Sequence, residues 1–113
     1  MPYIHVTTSE ELDAPREELL KTELGRAVEA LPGKSEQWLM VQCTSGAHLW
    51  MAGSNEPCAL AEVHLYGAAP TDAYDALTGR LTEILESVLD VDAARVYVKY
   101  AETEYWGWNG RNF

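Results

Sequence analysis

The run Cys58-Ala59-Leu60-Ala61-Glu62-Val63-His64-Leu65-Tyr66 decides the fold. Successive side chains of a strand point to opposite faces, so the run divides into two sets. Ala59, Ala61, Val63 and Leu65 form a small apolar set suited to lying beneath helices. Cys58, Leu60, Glu62, His64 and Tyr66 form a mixed set that resembles neither a core face nor an ordinary solvated one. A helix signal follows directly. Gly67 to Pro70 connects, Thr71 caps, and Tyr74, Leu77, Leu81, Ile84, Leu85 and Val88 recur at helical spacing. Arg95 to Tyr100 then closes the unit as a strand.

The N-terminal half has the same plan. Residues 2–7 read as a strand, and Asp13 ahead of Pro15 reads as an N-cap with proline in the first turn. Leu20, Leu24, Ala27, Val28 and Leu31 form one apolar helical stripe, which Pro32-Gly33 ends. Gln37 to Thr44 is a second strand and Ser45-Gly46 a turn. His48 to Met51 is a short extended piece before the loop Gly53-Ser54-Asn55-Glu56-Pro57. Strand, helix, strand therefore occurs twice. Each βαβ unit makes a right-handed crossover that brings its two strands parallel. Two such units give an α/β domain with a four-stranded mixed sheet and both helices on one face. Trp38-Leu39-Met40-Val41 is apolar on both faces, as expected of a strand covered on both. A single domain of 113 residues, spanning 1–113, has no second layer to supply that cover, so oligomerisation is expected.

Composition narrows the function classes. A hydrophobic share of 47% and an aromatic share of 10% belong to a folded chain, not a disordered one. The net charge of −10 argues against nucleic acid, whose phosphates need clustered Lys and Arg. No segment approaches the roughly 20 apolar residues of a membrane span. Glu10 and Glu11 interrupt any charged-then-apolar leader pattern, so the expected location is cytoplasmic. Cys43 and Cys58 are too few for a disulfide scaffold and read as buried thiols. His5, His48 and His64 show no metal-ligand spacing, so no metal is expected.

The chain opens Met1-Pro2-Tyr3-Ile4-His5-Val6, and a small second residue permits removal of the initiator methionine. Pro2 would then carry a free secondary amine at the start of a rigid strand, placed by the repeat architecture at a sheet edge. An α-amino group titrates near pH ~8, where lysine needs about 10, so such an amine can act as a base close to neutrality.

The ordered set Pro2, Pro32-Gly33-Lys34, Ser54-Asn55-Glu56-Pro57-Cys58-Ala59-Leu60, Arg95-Val96-Tyr97-Val98-Lys99-Tyr100 and Gly107-Trp108-Asn109 resembles the macrophage migration inhibitory factor and D-dopachrome tautomerase family of the tautomerase superfamily. The resemblance covers essentially the whole length. It implies a homotrimer whose sheets wrap a central channel, with sites at subunit interfaces. It also implies cofactor-free keto–enol tautomerisation of phenylpyruvate-like α-keto acids, with Pro2 as the catalytic base. Lys34 would hold the substrate carboxylate and the main chain of Tyr66 would bind substrate. Tyr97, from the neighbouring subunit, would line the pocket with Trp38 and Phe113, while His64 would face the channel. Trp106 and Trp108 read most simply as C-terminal packing or interface aromatics.

Three departures from the family pattern matter. Cys58-Ala59-Leu60-Ala61 lacks the second thiol of a Cys-Ala-Leu-Cys redox motif. Lys99 stands where the family often has a pocket asparagine, and would either add a substrate-binding cation or pair with an acid. Tyr66 replaces a smaller aliphatic residue. The alternative functions are a cytokine-like signalling protein, binding a host receptor after secretion without a signal peptide, and a structural trimer with a vestigial pocket.

Overall fold

The computed structural model describes residues 1–113. Strand β1 (Pro2–Thr8) leads into helix α1 (Ala14–Ala27) and then strand β2 (Met40–Thr44). Strand β3 (Ala59–Tyr66), helix α2 (Thr71–Leu89) and strand β4 (Val96–Thr103) repeat the arrangement, and a short hairpin of β5 (Gly107–Trp108) and β6 (Arg111–Asn112) ends the chain. The sheet order is β2-β1-β3-β4. β1 runs parallel to β2, β3 runs parallel to β4, and the two halves meet antiparallel through β1 and β3. This is the mixed sheet expected of two side-by-side βαβ units.

The core lies between the sheet and the two helices. Ile4 and Val6 of β1 and Ala61, Val63 and Leu65 of β3 meet Leu20 and Leu24 of α1 and Leu77, Leu81 and Leu85 of α2, all fully buried. Burying one Leu side chain contributes about 1.5–3 kcal/mol, so this single layer holds the fold. Asp13 caps α1 as expected, accepting a hydrogen bond from the Arg16 amide at 3.0 Å. No helix is long and apolar enough to cross a membrane.

Several element boundaries differ from expectation. α1 ends at Ala27, and the stripe continues through a 3₁₀ turn at Val28–Ala30 before Pro32 is reached. The cap of α2 is Pro70, whose carbonyl accepts from the amides of Ala73 and Tyr74, while Thr71 is already helical. β2 begins at Met40 instead of Gln37, behind a 3₁₀ turn at Glu36–Trp38. The reason lies on β1. Its pairing with β2 begins at Tyr3 opposite Met40, because Pro2 has no amide to extend that ladder. β3 starts at Ala59, not Cys58. His48 to Met51 forms no strand beyond an isolated bridge between Met51 and Ser54. Arg95 belongs to a 3₁₀ turn, so β4 runs from Val96 to Thr103. Pro2 sits at the start of an interior strand flanked by β2 and β3, not at the sheet edge. Cys58 is buried, whereas Cys43 is only half-buried.

The face away from the helices is uncovered within one chain. Met40, on β2, is 68% exposed, and Tyr97, on β4, is 64% exposed.

Candidate active site at the start of the first strand

Pro2 is buried, and its neighbours come from three parts of the chain. In the sheet it lies opposite Leu65. One residue further along β3, the Tyr66 amide donates to the Met1 carbonyl at 3.1 Å. The Lys34 ammonium donates to the Tyr66 carbonyl at 3.4 Å. Both main-chain groups of Tyr66 are thus engaged, one with the chain start and one with the cation.

Local sequence explains why Lys34 arrives there. The Lys34 amide bonds back to the Leu31 carbonyl at 3.1 Å, closing a turn around Pro32 and Gly33. Pro32 stands second in that turn and Gly33, at φ 76°, stands third. This is the type II pattern, in which proline pre-sets its own φ and only glycine takes a positive φ without strain. The Lys34 side chain is half-buried, and with one bond to Tyr66 it keeps two of its three donors for a ligand.

The electrostatics favour a neutral amine. Burial pushes the Met1 α-amino group below its ordinary value, and the Lys34 ammonium pushes it further in the same direction. Both effects disfavour the protonated form. A prolyl amine exposed by loss of Met1 would lie one residue further along the chain, at a buried position.

An aromatic wall extends outward from this corner. The Tyr66 ring tilts against Phe113 at 5.5 Å between centroids, and Phe113 stacks on Trp108 at 6.3 Å. Trp108 meets Trp38 edge-on at 5.2 Å. Pro2, Lys34, Tyr66, Phe113 and Trp38 therefore belong to one connected group. Trp108, read from sequence as a C-terminal packing or interface aromatic, is its missing link. The short β5–β6 hairpin, held by Phe113 N–H donating to the Trp106 carbonyl at 3.0 Å, is what swings Trp108 and Phe113 together. Its only sequence signal was Gly107-Trp108-Asn109-Gly110, a turn flanked by aromatics.

Tyr97 and Lys99 lie elsewhere in the chain. Tyr97 pairs with Leu60, five positions along β3 from the partner of Pro2, or about 17 Å at the usual strand rise. It lines a recess with Leu49, Trp50, Met51, Cys58 and Leu60. The adjacent Arg95 fixes that recess by donating to the carbonyls of Met51, Ser54, Glu56 and Pro57. Lys99 is exposed, stands opposite Glu62 in the strand register, and shares the uncovered face with His5 and His64.

The family profile described as macrophage migration inhibitory factor (MIF) matches residues 1–113. The chain belongs to the macrophage migration inhibitory factor family. The macrophage migration inhibitory factor of Meriones unguiculatus is 30% identical, the match covering 100% of this chain and 99% of that protein. The mouse (Mus musculus) protein is 30% identical over 81% of this chain and 82% of its own length. Among solved structures, Leishmania major MIF2 superposes with a TM-score of 0.94 at 27% identity, covering 100% of this chain and 97% of that one. Family membership thus extends across both βαβ units and the terminal hairpin, including every residue of the group around Pro2.

Proposed function

We propose that this chain is a cofactor-free keto–enol tautomerase of phenylpyruvate-like α-keto acids, working as a single domain in a homotrimer. The observation that carries the reading is a chain-terminal amine whose pKa is lowered by burial and, further, by the Lys34 ammonium beside it. Once Met1 is removed, the Pro2 nitrogen takes a proton from C3 of the keto acid. The C2=C3 double bond forms as the carbonyl electrons move onto oxygen, and the protonated proline returns its proton there to give the enol. The reverse reaction runs through the same groups. Lys34 holds the substrate carboxylate, the Tyr66 amide, released from the Met1 carbonyl once Met1 is removed, orients it, and the wall of Tyr66, Phe113, Trp108 and Trp38 receives an aryl tail. Tyr97 enters from the neighbouring subunit, which accounts for its exposure and its distance from Pro2 in its own chain. Lys99 serves the inter-subunit face in place of the pocket, because its register partner is Glu62.

Intact mass and a phenylpyruvate assay on one sample test this directly. Loss of Met1 together with turnover is expected. Replacing Pro2 with Gly should lower kcat/KM by about 10²-fold, within the range of general-base catalysis. Full activity in that variant, or in chains that retain Met1, would remove Pro2 from the mechanism. Absence of turnover across a panel of α-keto acids, with Met1 gone, would favour a receptor-binding or vestigial role.

A further inference from the structure

We infer that Arg111 is a specificity-determining residue, and that the site favours aryl α-keto acids carrying a second anionic group at the far end of the ring. The inference rests on the tautomerase reading above and narrows its substrate class. Its starting point is the turn Asn109-Gly110, where both residues have positive φ, at 52° and 85°. That is the type I′ pattern of a two-residue hairpin, which asparagine followed by glycine adopts most readily. The turn sets Trp108 directly opposite Arg111. Opposed residues of two paired strands project from one face, and so do residues two apart along a strand. Trp108, Arg111 and Phe113 therefore share one face of the hairpin, where Trp108 and Phe113 stack with only 7° between their planes. Phe113 leads back to the Tyr66 ring at 5.5 Å, and the Tyr66 carbonyl accepts from Lys34. The aryl wall thus has a cation at each end, Lys34 beside the chain-terminal amine and Arg111 at the outer edge.

Arg111 is free to bind. Arg16 donates to the Val88 carbonyl, Arg26 pairs with Glu23, and Arg95 holds four loop carbonyls, whereas Arg111 has neither a hydrogen bond nor an ion pair within the chain. It lines an open, largely polar cleft of about 310 Å³ with Asn109 and Asn112, which add further hydrogen-bonding groups. A guanidinium presents its N–H donors in a planar fork that matches a carboxylate bidentately. The remaining charge of the molecule gives that fork its selective value. The chain carries a net charge of −10, which opposes the approach of a dianion. Lys34 compensates the keto-acid carboxylate, and a second anion across the ring lies beyond its reach. Arg111 meets that second anion, while a neutral ring gains only contact with the wall.

Steady-state kinetics on para-carboxyphenylpyruvate and its neutral isostere para-nitrophenylpyruvate, with phenylpyruvate as reference, test the assignment. At low salt the wild-type chain, freed of Met1, should favour the carboxylated substrate by about fivefold in kcat/KM, carried by KM, the scale of one solvent-exposed ion pair. Raising the salt concentration should erase that preference by screening. Arg111→Ala should bring the two substrates to parity, Arg111→Lys should keep part of the preference, and Arg111→Glu should reverse it. The salt series needs no variant, so the inference stays testable if substitutions in the hairpin disturb folding. Equal kcat/KM for the two substrates in wild type, a preference indifferent to salt, or a preference that survives Arg111→Ala overturns the role of Arg111. Absence of turnover on phenylpyruvate itself, with Met1 gone, overturns the tautomerase reading and this inference with it.

Discussion

Under the proposed mechanism, removing Lys34 separates binding from base tuning. Its ammonium is half-buried and lies beside the chain-terminal amine, where burial is the larger cause of the lowered pKa and the cation the smaller. Lys34→Ala should therefore raise the apparent pKa of the catalytic amine without restoring its ordinary value. The acidic limb of the kcat/KM profile then moves to higher pH, because the base stays protonated over a wider range. Losing a charge-assisted contact to the substrate carboxylate should also raise KM by about 10–100-fold. Steady-state kinetics across pH read both effects, and an unmoved limb would remove Lys34 from tuning the base. Pro32-Gly33 announced the end of the helix before Lys34 in the sequence, whereas a role for Lys34 came only from the family resemblance. Glu62 was not legible as the partner of His5 and His64. That contact depends on register between β1 and β3, which no local pattern encodes.

Among the elements, β4 and the loop before β3 depend on a single side chain. Arg95 donates to four carbonyls of residues 51–57, while the loop's own bonds are the Met51–Ser54 bridge and the Glu56 amide donating to the Ser54 hydroxyl. Arg95→Ala leaves those carbonyls without their cation and should cost about 2–3 kcal/mol, as for hydrogen bonds to a charged group. The expected signature is a lower thermal midpoint with faster amide exchange confined to the loop and the first residues of β4. Uniform exchange across the sheet would contradict this. Helices and strands were largely readable here because the periodicities of 3.6 and 2 report burial directly. Ile4, Val6, Ala61, Val63 and Leu65 all landed on the helix-covered face. Ends were less readable, since β2 begins only where its partner strand has passed Pro2, which lacks a ladder donor. The terminal hairpin was missed for a related reason. Two residues per strand carry no period, and its meaning comes only from where Trp108 and Phe113 land.

At the scale of the whole molecule, the separation of Pro2 from Tyr97 becomes an argument about assembly. Within one chain they sit toward opposite ends of β3, so they cannot act on one small substrate. If each site takes its base from one subunit and Tyr97 from the next, two inactive variants should rescue one another. Pro2→Gly chains retain an intact Tyr97, and Tyr97→Ala chains retain an intact Pro2. A site regains both groups only when a Tyr97→Ala chain supplies the proline and a Pro2→Gly neighbour supplies the tyrosine. Random mixing in a closed cyclic trimer gives that combination in about a quarter of sites. Refolding the two variants together should therefore recover about a quarter of wild-type activity, whereas mixing preformed trimers without exchange should recover none. Because the two mutations remain on separate chains, a site built within one chain could never be repaired by mixing. Activity no greater than the sum of the separate variants, in samples shown by mass to contain mixed trimers, would place Tyr97 outside the site and leave its exposure to be explained by packing between subunits alone.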